Sequence, residues 1–173
     1  MSKKILIYGL AFGSAAAALS YIYMIYVAFN PNLSIHLISV LAEFIIIPGT
    51  AIFLFLRSMK QSKQDEFFIG RAIFFGFFLS LIISSSVSLF FSYIAQFRPE
   101  IINGFIDLKV NQLLKSDFFA KLSSKDQLDN INAVKESYSV AGQFKYQLYL
   151  GAARGLFLSA IIAFILRAKT KRD

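Results

Sequence analysis

Residues 67–97 read FFIGRAIFFGFFLSLIISSSVSLFFSYIAQF, an apolar run in which Arg71 is the one charge. A soluble domain has no use for an apolar stretch of this length, whereas about 20 such residues cross a ~30 Å hydrocarbon core as a helix. Three more runs of the same kind flank it. The first covers 5–29 and ends at Asn30-Pro31-Asn32, and the second covers 33–56 and is closed by Arg57. The fourth covers 148–166 and ends in Arg167. The expected fold is therefore an all-α membrane protein, one domain over 1–173, with four transmembrane helices. An amphipathic helical segment at 98–145 separates the third helix from the fourth.

Composition points the same way. Hydrophobic residues make up 57% of the chain and charged residues 16%, against about 25% charged in soluble proteins. The net charge of +8 does not form the basic stripe of a nucleic-acid-binding face. The bases instead gather at the ends of the apolar runs, where they set orientation and meet anionic head groups. Cysteine is absent, which excludes disulfides, thiolate metal sites and cysteine nucleophiles.

Lys3 and Lys4 before an apolar run, with Ser14-Ala15-Ala16-Ala17-Ala18 inside it, resemble a secretory signal. The run continues through Tyr21, Ile22, Met24 and Val27, past the length of a signal core, so a retained helix is expected. Lys3 and Lys4, then Arg57, Lys60 and Lys63, then Arg167, Lys169, Lys171 and Arg172 mark three basic ends. The loop at 30–32 is uncharged and the 98–145 segment is nearly balanced. By the positive-inside rule both termini face the cytoplasm and 98–145 faces outward.

That outward segment has a helical pattern. Ile102, Ile106, Val110, Leu113, Leu114 and Phe118 recur at helical spacing among charged residues. Ser124 with Gln127 has the form of a capping box for a second helix, whose short apolar side is Leu128, Ile131 and Val134 and which Gly142 ends. The reading is a helical hairpin or bent helix lying over the bundle as a cap, or serving as a docking site for a partner.

No catalytic, cofactor or metal motif can be assembled. His36 is the one histidine, so a two-histidine metal site is excluded; near the outer interface it reads as an interfacial polar residue. Ser84-Ser85-Ser86 has no base nearby, and serines in membrane helices bond back to their own carbonyls or across to a neighbour. Arg71, about a turn inside the third helix, reads as a side chain that snorkels to head groups. Glu43 and Arg154 are more informative, because an ionisable group at depth is costly. At 1.5 Å per residue both fall roughly 10–15 Å below the outer surface. An intramembrane ion pair between them is expected, either fixing helix register or forming part of a proton or ion path. Pro48-Gly49 adds a kink to the second helix, and in an α-helical register Pro48 frees the carbonyl of Phe44.

Small residues mark the packing faces: Gly9, Gly13 and Ala17; Gly76, Ser80 and Ser84; Gly151, Gly155 and Ser159. Such stripes let helix backbones approach closely, either to close one bundle or to join two subunits.

Phe68-Ile69-Gly70-Arg71-Ala72, then Gly76 and the serine-rich stretch to Tyr93, follow a Lys-rich start and precede a charged helical insert. In this order of parts the chain resembles the bacterial domain-of-unknown-function 4199 family, which often has an acidic or amide residue where Arg71 stands. The resemblance implies a four-span protein of the bacterial inner membrane with no established activity. The expected role is a non-enzymatic accessory or structural subunit, without cofactor, touching lipid and a protein partner or a second copy. The alternative is a small oligomeric transporter or channel using Glu43, Arg154 and the Pro48 kink.

Overall fold

The computed structural model describes residues 2–29, 41–62 and 69–170, and His36 and the first part of the second apolar run lie outside them. Every element among the described residues is helical. They are α1 (Ser2–Phe29), a π-helical turn (Ala42–Ile46) leading into α2 (Ile47–Ser62), and α3 (Ile69–Phe97). Then come α4 (Pro99–Leu114), α5 (Asp117–Ala120), α6 (Ser124–Ser137) and α7 (Val140–Thr170). Among the described residues three helices are long and apolar enough to cross a membrane: Lys3–Tyr26 of α1, Ile69–Phe97 of α3 and Val140–Arg167 of α7. They mark the chain as a membrane protein.

α3, the described part of the stretch at 67–97, occupies the centre of the bundle. α3 buries Ala72, Gly76, Leu79, Ser80, Ile83, Ser84, Val87, Ser88, Phe91 and Ile94, a stripe of steps of three and four. It packs most extensively on α7 and next on α1. The glycines explain how closely. A Cβ at Gly155 would lie 2.8 Å from the Ser80 Cβ and 3.0 Å from the Phe77 Cα. One at Gly9 would meet the Ile82 side chain, one at Gly13 the Ser86 side chain, one at Gly76 that of Ser159, and one at Gly151 that of Ser84. All five glycines therefore close contacts within the chain.

α2 joins the bundle through aromatic contacts. The Phe55 ring meets Tyr8 of α1 at 6.0 Å and Phe75 of α3 at 6.2 Å, both edge-on. At its far end the Lys60 ammonium donates to the Leu166 carbonyl at 2.9 Å, in the last turns of α7, where the helix dipole is negative. With Glu43 beside Arg154 at the other end, α2 and α7 run parallel.

The segment between α3 and α7 forms a cap, with a different buried face from the one the sequence spacing suggests. α4 begins with Pro99 at its first turn and buries Ile101, Ile102 and Phe105 against Met24, Phe91 and Ile94. Leu114 and Phe118, read as part of the apolar side, are 47% and 67% exposed, and Phe119 is the buried residue of α5. The chain turns after Leu114, so positions beyond it leave the stripe of α4. The second N-cap is Ser123, one residue before the expected one. Its hydroxyl accepts from the Asp126 N–H and donates to the Asp126 carboxylate at 2.6 Å. Gln127 donates to the carbonyls of Phe119 and Leu122 instead of closing a capping box.

Gly142 does not end α6, which stops at Ser137. It lies in the first turn of α7, where its N–H donates to the Ser139 hydroxyl at 3.0 Å. A Cβ there would strike the main chain of Glu136 and Ser137, so glycine is what lets α6 fold back so tightly onto α7.

Candidate functional site

The site grows from one irregularity. Over Ala42–Ile46 the backbone winds as a π-helix, and the Ile47 N–H donates to the Ala42 carbonyl, five residues back. In that register the carbonyl of Glu43 faces position 48, and Pro48 has no N–H to give. The freed carbonyl is thus that of Glu43, one residue earlier than an α-helical register places it. A bare carbonyl in an apolar bundle costs several kcal/mol by the usual transfer scales.

Arg154 supplies the missing donor. Its Nη1 donates to the Glu43 carbonyl oxygen at 3.1 Å. Its Nη2 donates to the Ser84 hydroxyl at 2.7 Å and its Nε to the Ser80 hydroxyl at 3.3 Å. Arg154 is 8% exposed, and its planar fork joins α7 to α3 and to the π turn at once. The expected meeting of Glu43 and Arg154 occurs, but through the Glu43 main chain and not as a carboxylate–guanidinium hydrogen bond. The shift of register explains it: the π turn presents the carbonyl to Arg154.

The Glu43 carboxylate accepts from the Gln147 amide at 3.4 Å. Gln147 lies two turns before Arg154 on α7 and is 6% exposed. The sequence reading missed it, although a glutamine seven residues from a buried arginine, on the same helix face, was a usable signal. Ser80 and Ser84 were read as packing residues and prove to be the acceptors of Arg154 as well. In the triple-serine run, Ser86 bonds back to the Ile82 carbonyl at 2.9 Å, and Ser88, two residues beyond it, bonds to the Ser84 carbonyl at 3.1 Å. Gly49 has nothing within 4 Å of a notional Cβ, so the irregularity in this helix belongs to the π turn and Pro48.

Above this lattice, towards the cap, lies a cavity of about 550 Å³. Ser20, Tyr23 and Met24 of α1 form one wall, Val87, Phe90 and Phe91 of α3 another, and Tyr146 and Gln147 of α7 a third. Phe105 and Tyr138 belong to the cap, and Glu43 lines the cavity from the π turn. The Tyr138 and Phe105 rings meet edge-on at 5.2 Å, and Phe105 meets Tyr23 at 6.0 Å. On the cap, burial raises the Tyr138 phenol above its ordinary range. Among the described residues no group of three His, Cys, Asp or Glu side chains is placed to hold a metal ion.

The arrangement defines a class: an all-helical membrane bundle with a guanidinium-bridged π turn beneath a capped, aromatic cavity. Comparison with protein families, with curated proteins and with solved structures finds no match.

Proposed function

We propose that the chain is a four-span protein of the bacterial inner membrane, with both termini cytoplasmic, acting as a non-enzymatic accessory or structural subunit. The apolar run at 33–56 supplies the fourth crossing, and it contains the π turn and the first part of α2. The cap then faces outward. Membership of the domain-of-unknown-function 4199 family belongs to the same proposal and rests on the residues from Phe68 to Tyr93.

One observation carries the choice of a static subunit over a transporter. Broken membrane helices serve transport when their freed carbonyls are open to an ion. Here the Glu43 carbonyl is taken by Arg154, so the protein's own guanidinium fills the place that a transported cation would need.

Gentle extraction from native membranes is expected to bring down a constant second protein. A chain that purifies alone and carries a flux in liposomes, abolished by Glu43→Gln, would establish the transporter instead. The topology has its own test. Single cysteines replacing Asn32 and Lys125 should react with an impermeant maleimide in intact cells, and one replacing Lys60 only after permeabilisation. Labelling of Lys60→Cys from outside would overturn the orientation.

A further inference from the structure

The cavity wall has a specific chemistry. Of the described side chains that line it, Glu43 alone belongs to the acidic or basic residues. Six aromatic rings share the wall: Tyr23, Phe90, Phe91, Phe105, Tyr138 and Tyr146. The Arg154 guanidinium is not part of this surface, being engaged with Ser80, Ser84 and the Glu43 carbonyl. The Gln147 amide donates to one carboxylate oxygen and so fixes how the group is presented. An anionic ligand would meet a carboxylate with no cation among the described residues of the wall. A purely apolar one would cover the carboxylate and the amide without satisfying them. A cation satisfies both features, by charge at Glu43 and by attraction to the faces of the rings. Outside the wall, the Lys109 ammonium lies 5.3 Å from the centre of the Phe105 ring, so one ring that borders the cavity already meets a cation. The volume of about 550 Å³ falls within the range of about 300–1,000 Å³ usual for small-ligand sites.

We propose that this cavity binds an organic cation, an ammonium group on an apolar body, with its nitrogen beside Glu43 and its substituents against the aromatic wall. Two sources offer that chemistry: the amine head group of a membrane phospholipid, and a free hydrophobic amine. A ligand held there is independent of any protein partner.

The test uses the full chain in nanodiscs of phosphatidylglycerol and measures uptake of labelled phenyltrimethylammonium by equilibrium dialysis, corrected for empty discs. Saturable binding is expected. It should weaken about tenfold or more in Glu43→Gln, the loss of one close charge pair. Tert-butylbenzene, the uncharged isostere, should fail to displace the probe. Glu43→Gln keeps the main-chain carbonyl that Arg154 holds, so the lattice beneath stays intact. If that variant nevertheless fails to fold, Tyr138→Leu on the cap takes its place, with about a fivefold loss expected from one aromatic face. Adding phosphatidylethanolamine to the discs separates the sources. A weaker apparent affinity assigns the site to the lipid amine, and an unchanged one to a free amine, both in accord with the proposal. No saturable uptake, equal uptake by wild type and variants, or displacement by tert-butylbenzene would overturn it.

Discussion

Arg154→Leu will destabilise the purified protein by about 3–5 kcal/mol, the scale of removing one side of a buried charged contact. The loss has three parts. The Ser80 and Ser84 hydroxyls lose a charged donor, and each can in part turn back to its own helix. The Glu43 carbonyl cannot, because its backbone donor is missing at Pro48. Arg154→Lys should recover less than half of the loss, since an ammonium does not reproduce a fork spread over three acceptors. The paired exchange Glu43→Arg with Arg154→Glu separates two kinds of contact. A carboxylate–guanidinium pair would survive the exchange; a guanidinium held by a main-chain carbonyl does not, so no rescue is expected. Circular-dichroism melts in detergent read all three variants. An Arg154→Leu melt that coincides with wild type, or a rescue by the exchange, would show that the carbonyl contact contributes little.

Gly155→Ala carries the second large effect. The new methyl meets the Phe77 Cα at 3.0 Å and the Phe77 carbonyl at 3.2 Å, and a backbone cannot rotate aside as a side chain can. α3 and α7 must separate, across the most extensive contact in the fold, with an expected loss of about 1–3 kcal/mol or more. Gly49→Ala is the control. It lies in α2 with open space around it, so the helix preference for alanine makes it neutral, or stabilising by up to about 1 kcal/mol. Similar melts for the two variants would mean that the α3–α7 contact yields without cost.

These two sites also show how far the sequence could be read. The closeness of Glu43 and Arg154 was legible because depth follows from simple counting along helices. Which atom of Glu43 makes the contact was not, because a π turn shifts the bonding register by one residue without changing a letter of the sequence. Pro48 announced a lost hydrogen bond but not whose carbonyl lost it. The glycine stripes were legible as packing faces, since only small residues allow close approach. Their use inside one chain depended on where α1 and α7 lie around α3, which spacing within a single helix does not encode. The cap was legible as helices. Its buried face was misplaced because Leu114 and Phe118 continue the spacing of α4 past the point where the chain turns. The cavity was not legible at all, since its walls come from segments far apart in sequence, among them Ser20, Glu43, Phe90, Phe105 and Tyr146.

The π turn also bears on how such a chain is made. Its donor, Arg154, sits on α7, which follows α1, α2 and α3 in the sequence and therefore leaves the ribosome after them. Until that helix has been synthesised and inserted, the Glu43 carbonyl has no partner from its own backbone, and the Ser159 and Gly155 contacts of Gly76 and Ser80 are unmade. A growing chain thus differs from a finished one by an open main-chain group in the middle of an apolar bundle. Arrival of Arg154 closes that group and joins α3 to the π turn in one step, so assembly waits on the late helix and the unfinished product stays chemically marked until it comes.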